Sequence, residues 1–179
     1  MVLQVIRMND NIILVGFMGT GKTTVGKNLA GRLHKKFVDM DEVLEERAGK
    51  SISLIFSEDG EPCFRNMERA LVQELAEGKN QVIAAGGGIV LNPDNIADFR
   101  RSGKVICLLA SQKDILQRVS SSTSRPLLEK GDKYQRILDL MEKRRPLYEA
   151  IHDRVNTSGL TPQEVVEVIM LMVNAEGGR

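Results

Sequence analysis

The chain has 179 residues, 42% of them hydrophobic, enough apolar surface to bury the core of one compact domain. Its 25 basic and 24 acidic side chains nearly cancel, and aromatics are scarce, with no Trp and two Tyr. That balance excludes a broad basic face for duplex nucleic acid and an aromatic platform for stacked bases, so no nucleic-acid partner is expected.

Cys63 and Cys107 lie far apart in unlike surroundings and form neither a disulfide framework nor a zinc site. Cys107, inside Val105-Ile106-Cys107-Leu108-Leu109, reads as a small buried apolar residue, and a reducing cytoplasm is the expected setting. No apolar run reaches the length of a membrane span, so no membrane partner is expected. Met1 to Asp10 carries Arg7 and Asp10 without a cleavage pattern, which argues against a signal peptide. Met8 stands just before the first strand, so Met1 to Arg7 reads as a dispensable extension.

Strand and helix signals alternate along the rest of the chain. Ile12-Ile13-Leu14-Val15 is a short buried strand, and Lys22 to Leu33 the helix that follows it. Phe37-Val38-Asp39-Met40-Asp41 is a second strand ending in two acids, followed by a helix from Asp41 to Ala48 that Gly49 stops. Ser51 caps a short helix, Ile52 to Ser57; Asp59-Gly60 is a turn; Glu61-Pro62 opens a longer helix to about Leu75. Gln81 to Ala85 is the third strand, with Gly86-Gly87-Gly88 at its end, and Asn92-Pro93 starts a helix to about Arg101. Val105 to Leu109 is the fourth strand. Ser111 and Asp114 form a capping pair for a helix through Arg118. The serines from Ser120 to Ser124 break the pattern, and the stretch to Gly131 reads as a mobile loop, after which Asp132 caps a helix to Glu149. Arg154-Val155-Asn156 is the last strand, and Thr161-Pro162-Gln163-Glu164 a capping box for a helix to about Ala175. Strands alternating with helices predict a parallel sheet covered on both faces.

The chemistry starts at Gly16-Phe17-Met18-Gly19-Thr20-Gly21-Lys22-Thr23, which fits Gly-x4-Gly-Lys-Ser/Thr between a strand and a helix. Glycines let backbone N–H groups turn toward an anion, and the helix start adds unsatisfied donors and its dipole. Gly19, Thr20, Gly21, Lys22, Thr23 and Thr24 are thus the expected ATP phosphate site. Lys22 is placed to reach the β- and γ-phosphates, and the Thr23 hydroxyl to ligate Mg²⁺. No guanine-specificity motif is present, and neither the third nor the fourth strand ends in an Asp, so a carboxylate on the second strand must support the metal.

Asp39 and Asp41, two apart on an extended strand, would point to one side, with Asp39 supporting the metal and Asp41 holding a substrate hydroxyl. The competing reading makes Asp41 a helix cap and Asp39 a surface acid. Arg65 and Glu68 share one helix face, and on spacing alone a surface ion pair is the more common case. Gly86, Gly87 and Gly88 exceed what an ordinary turn needs and can bring backbone close to a ligand. Arg125, in the Ser-rich loop, suits a lid that closes a guanidinium on the transferring phosphoryl group. Lys143-Arg144-Arg145 before Pro146 reads on spacing as a solvated helix face.

Taken together, these segments resemble the shikimate kinase family from about Met8 to Ala175. The matching stretches are the phosphate loop, Phe37 to Asp41, and Gly60-Glu61-Pro62-Cys63-Phe64-Arg65 with Glu68. They continue with Gly86 to Gly88, Arg125-Pro126-Leu127-Leu128 and Arg144-Arg145-Pro146-Leu147-Tyr148. The resemblance implies an α/β, three-layer P-loop kinase fold of the nucleoside-monophosphate-kinase type. It has a five-stranded parallel sheet flanked by helices, a substrate subdomain at about 39–68 and a lid at about 120–132, all within one domain. It implies ATP-dependent phosphorylation of the 3-hydroxyl of shikimate, with Mg²⁺, by a cytoplasmic monomer in the aromatic amino-acid pathway. By position, Asp41 would bind shikimate hydroxyls, and Arg65 and Arg144 its carboxylate, with Gly86, Gly87 and Gly88 adding backbone contacts. Arg125 would be the lid arginine. Arg118, with the loop near Thr157 to Pro162, would lie against adenine. Gly159-Leu160 departs from members that carry arginine there, and Met40 from those with a small polar residue. A gluconate or nucleotide kinase of the same fold and a catalytically silent ATP-binding relative are the rival readings.

Overall fold

A computed structural model describes residues 10–120 and 133–177. The Met1 to Arg7 extension, the expected Asp132 cap and the lid stretch with Arg125 lie outside the described residues. The elements run β1 (Asn11–Val15), α1 (Lys22–Leu33), β2 (Lys36–Asp39), α2 (Met40–Ala48), α3 (Ile52–Leu54) and a π-helical turn (Ile55–Asp59). Then come α4 (Gly60–Glu77), β3 (Gln81–Ala84), a 3-10 turn (Ile89–Leu91), α5 (Pro93–Ser102) and β4 (Gly103–Leu109). The chain ends with α6 (Gln112–Ser120), α7 (Lys133–Glu149), β5 (Asp153–Asn156) and α8 (Pro162–Gly177).

The five strands form one parallel sheet in the order β2-β3-β1-β4-β5, as the alternating pattern predicts. Successive side chains of a strand face opposite ways. In β1, Ile12 and Leu14 therefore join a core under α1 and α8, with Leu29, Val165 and Ile169. Ile13 and Val15 join the larger core on the other face, with Leu44, Leu71, Phe99 and Ile115. β4 splits in the same way, Ile106 and Leu108 against Val105 and Cys107. Cys107 is wholly buried, and burial pushes its thiol up to about 12, so it behaves as the apolar residue expected. Met40 is also fully buried, which makes its apolar character harmless. No helix among the described residues is long and apolar enough to cross a membrane.

The predicted caps at Asn92, Ser51 and Thr161 all form. Asn92 Oδ1 accepts from Asp94 N at 3.0 Å, and Ser51 Oγ from Leu54 N at 3.3 Å. Thr161 and Glu164 make the full reciprocal box. Ser111 and Asp114 make half of one, because the Ser111 N–H donates to Ser158 Oγ instead of to Asp114. Two expectations need correction. The chain does not turn sharply at Asp59-Gly60: the short helix widens into a π-helical turn and runs directly into α4. Gly60, at φ 84°, absorbs the change of path, and Lys50 pairs with both Glu58 and Asp59 across it. The second strand ends at Asp39 rather than Asp41, because the Asp39 carboxylate caps α2.

Asn11 has no exposed surface and ties the base of β1 to the loop entering β3. Its Nδ2 donates to Gly78 O at 2.8 Å, and its Oδ1 accepts from Gln81 N at 3.0 Å. Asn11→Ala leaves both backbone groups without that partner. It is expected to lower unfolding stability by about 2–4 kcal/mol, at ~1–3 kcal/mol per buried unsatisfied group. Urea denaturation should show this as a lower midpoint at unchanged slope.

Candidate active site

The phosphate loop joins β1 to α1 and owes its path to glycine. Gly19 and Gly21 have φ of 79° and 94°, a region that costs other residues strain. Gly21 is the N-cap of α1, and no side chain caps the helix. Its leading N–H groups and positive dipole end therefore face the cleft, a ready anion site. Lys22 Nζ lies within the loop, donating to Gly16 O at 2.8 Å and Phe17 O at 3.1 Å. Thr24 is exposed on the cleft. Thr20 is placed differently from its neighbours. Its side chain is 1% exposed and does not line the cleft, and its buried hydroxyl takes Phe17 O at 2.8 Å as partner.

The Thr23 hydroxyl donates to Asp39 Oδ2 at 2.7 Å. Asp39 Oδ1 accepts from Asp41 N at 3.1 Å. Asp39 is thus a helix cap as well as the acid beside Thr23, and Asp41 lies in the first turn of α2 rather than on a strand. Both still line the same cleft. A hydroxyl and a carboxylate this close are hard oxygen donors. They fit Mg²⁺, which takes one or two protein ligands and completes its shell with water and phosphate.

Facing the phosphate loop is a wall built from α3, α4, α7 and the turn after β3. Arg65, on α4, is held on three sides. Its Nη1 donates to Glu68 Oε2 at 2.8 Å, and its Nε and Nη2 to Glu61 Oε1 at 3.1 and 3.0 Å. The Phe56 and Phe64 rings lie 5.9 and 5.2 Å from its guanidinium carbon. Gly88 closes the third side: a β-carbon there would come within 2.4 Å of the guanidinium. Gly86 has the same role for acids, since a β-carbon would meet Asp41 Oδ1 at 2.9 Å and Glu68 Oε1 at 3.0 Å. The Gly87 carbonyl accepts from Arg144 Nη1 at 3.3 Å and from the Tyr148 hydroxyl. Gly86 and Gly88 thus each admit a side chain that a β-carbon would displace, while Gly87 serves through its carbonyl.

Charge in this wall is closely balanced. Burial works against the Arg65 charge, but Glu68 and Glu61 outweigh it and hold the guanidinium above its ordinary pKa. Burial pushes the Glu68 carboxyl above its ordinary value, and Arg65 draws it back only in part. Glu68 is 2% exposed, and among the described residues its Oε1 is the one buried side-chain oxygen or nitrogen without a hydrogen-bond partner.

These two walls enclose one cleft of about 600 Å³. Gly19, Gly21, Lys22, Thr23 and Thr24 line one side of it, and Asp39 and Asp41 its floor. Arg65, Gly86, Gly87, Gly88 and Arg144 line the other side. Arg144 is 6% exposed, so it is not the solvated surface charge that helical spacing alone implies. Arg118 stands at the rim, donating to Gly19 O at 3.2 Å and to Thr157 O at 3.3 Å. Arg125 lies outside the described residues. Three residues that the sequence reading quotes without a contact of their own also shape the site. Glu68 enters that reading as an ion-pair partner of Arg65 and as part of the stretch matched to the family. Tyr148 ends the Arg-Arg-Pro-Leu-Tyr stretch and braces Gly87. Thr157, 2% exposed, bonds to Leu109 O at 3.0 Å and fixes the loop beside Arg118. No spacing pattern marks that last residue.

The chain matches the family model described as shikimate kinase over residues 18–174. It is 47% identical over 160 residues to a shikimate kinase of Thermodesulfovibrio yellowstonii, covering 89% of this chain and 92% of that one. It is 46% identical over 160 residues to one of Caldanaerobacter subterraneus, covering 89% and 94%. Among solved structures, the shikimate kinase of Acinetobacter baumannii in complex with shikimate superposes with a TM-score of 0.90 at 34% identity. That match covers 95% of this chain and 96% of that one. A parallel sheet in this order, a glycine-lined phosphate loop and near-complete coverage of such relatives lead to one conclusion: the chain belongs to the shikimate kinase family.

Proposed function

We propose that this chain transfers the γ-phosphoryl group of ATP to the 3-hydroxyl of shikimate, giving shikimate 3-phosphate and ADP on the route to the aromatic amino acids. The observation that carries this reading is that Arg65 and Arg144 face Lys22 across one cleft, with Asp41 between them and the phosphate loop. Shikimate is a small anion with several ring hydroxyls. Two guanidinium groups from different helices suit its carboxylate, and an acid on the floor suits its hydroxyls.

The placement of the described residues around the cleft supports the following roles. The loop N–H groups and Lys22 hold the ATP phosphates, with Thr24 beside them, and Arg118 with the Thr157 loop flanks the base. The Thr23–Asp39 pair would hold Mg²⁺, which when bound adds positive charge beside the phosphates. Asp41 orients the 3-hydroxyl so that its oxygen meets the γ-phosphorus in line. The bond from that phosphorus to the β–γ bridging oxygen breaks, ADP leaves, and the hydroxyl proton passes to Asp41 or to water. Arg125 is assigned to a lid at about 120–132 that covers the transferring group, and residues 39–68 to a substrate subdomain within a single domain. A monomer in the cytoplasm completes the proposal.

An ADP-release assay over shikimate, gluconate and a nucleoside monophosphate tests the reaction. Turnover with shikimate alone is expected, and turnover with gluconate but not shikimate would overturn the reading. Lys22→Met is expected to cut turnover by at least ~10²-fold while circular dichroism shows a folded protein. Arg65→Ala is expected to raise the shikimate KM roughly 10- to 100-fold, from the ~1.5–3 kcal/mol of a hydrogen bond to a charged group, with the ATP KM nearly unchanged. Equal effects on the two substrates would remove Arg65 from the acid-binding wall.

A further inference from the structure

Behind the acid-binding wall, α4 and α5 are joined by polar side chains that do not line the cleft. Arg69 directly follows Glu68 and lies one helical turn beyond Arg65 on α4. Its Nη1 approaches Asp98 Oδ2 to 2.5 Å and donates to Asn95 Oδ1 at 3.3 Å. Asn95 is 2% exposed, and its Nδ2 donates to Ile89 O at 3.2 Å. Ile89 begins the turn after the three glycines; its N–H donates to Gly86 O at 3.1 Å, and Leu91 N–H to Gly88 O at 3.0 Å. A path of direct contacts therefore runs from Asp98 through Arg69 and Asn95 to the turn on which the Arg65 guanidinium rests.

We infer that the Asp98–Arg69 pair, relayed through Asn95 to the Ile89 carbonyl, is a positioning clamp that sets α4 against the glycine turn and thereby the acid-binding wall. The inference rests on the proposed reaction for its kinetic consequence. Both parts of that wall must keep their spacing, because Gly88 leaves no slack beneath Arg65 and Gly86 none beneath Asp41 and Glu68. Interdigitated apolar side chains resist both separation and sliding, and a directional polar pair adds a fixed contact point to that packing. A carboxylate with 10% of its side chain exposed, paired with one arginine of α4, fixes register as well. Asp98 also pairs with Arg101 of its own helix, which is 74% exposed and does not reach α4.

The chemistry allows each half to be removed without leaving a stranded charge. In Asp98→Asn, Arg69 and Arg101 turn toward water. In Arg69→Gln, Asp98 keeps Arg101. Each is expected to raise the shikimate KM about tenfold with the ATP KM little changed, a coupling of the size carried between packed elements. The double variant should be no worse than the worse single one, since both break the same link. Arg101→Gln, which severs Asp98 from solvent-side charge but not from α4, should leave both KM values as they are. A fall in melting temperature with no change in the ratio of the two KM values would overturn the clamp, as would an equal rise in both. Amide hydrogen exchange reads the clamp whatever the substrate. Ile89, Leu91 and the α4 turn around Arg65 should exchange faster in both single variants, and unchanged exchange there overturns the inference. Absence of shikimate turnover in the unaltered protein, with exchange moving as stated, would reject the reaction and keep the clamp.

Discussion

Leu14 and Ala84 stand opposite each other in the parallel ladder of β1 and β3, and Ala85 N–H donates to Leu14 O at 3.0 Å. The active cleft depends on this register. It brings the two glycine-rich turns of the chain, Gly16 to Gly21 and Gly86 to Gly88, side by side at the C-terminal edge of the sheet. A slip of one residue would reverse every side chain of the strand between its two cores and move one turn away from the other. Both faces of β1 are apolar and buried, so hydrophobic patterning alone does not oppose that slip; the buried Asn11 side chain does, through its bonds to Gly78 O and Gln81 N. The sheet thus secures the meeting of the two turns before any side chain of the cleft is placed.

Much of this was legible in the residues. The phosphate loop is readable because its glycines, lysine and threonine sit at fixed offsets between a strand and a helix. The parallel sheet is readable because strand and helix periods alternate. The caps at Asn92 and Thr161 are readable because a side chain and its partner lie within one turn. What was not legible involves contacts between segments distant in sequence. Asn11 binds Gly78 and Gln81 from the far end of the sheet, and nothing near it marks that duty. Arg144 is one of three consecutive basic residues; spacing alone reads it as solvated, the family resemblance draws it into the site, and the fold turns it toward Gly87. Asp39 stands on the second strand beside Thr23 as expected, and only Asp41 was misplaced, for a local reason. An acid that can accept from the N–H two residues on favours starting a helix over extending a strand, and alternation alone does not weigh that choice.

The two sides of the cleft are made of different materials. On the phosphate side the donors are mainly main-chain N–H groups, whose direction is set by glycine dihedrals and by the start of α1. They need little support, because backbone in a closed loop has few alternatives. On the opposite side the donors are guanidinium groups on long side chains, which lose considerable rotamer freedom when fixed. Arg65 is therefore enclosed by Phe56, Phe64, Glu61, Glu68 and the bare backbone of Gly88.

This asymmetry explains the Glu68 anomaly. A carboxylate with an unpartnered oxygen, buried to 2% exposure, is costly, and burial alone favours its protonated form. Replacing it with an apolar residue would relieve that cost and release Arg65 from its buried carboxylate partner. Of its two carboxylates the guanidinium would then keep Glu61, a residue 52% exposed and free to exchange with water. An exposed pair holds a side chain weakly; a buried one fixes its direction, even where it adds little to stability. Glu68 is thus best understood as stability given up for the orientation of a single arginine, and the glycine at 86 as the space that this exchange requires.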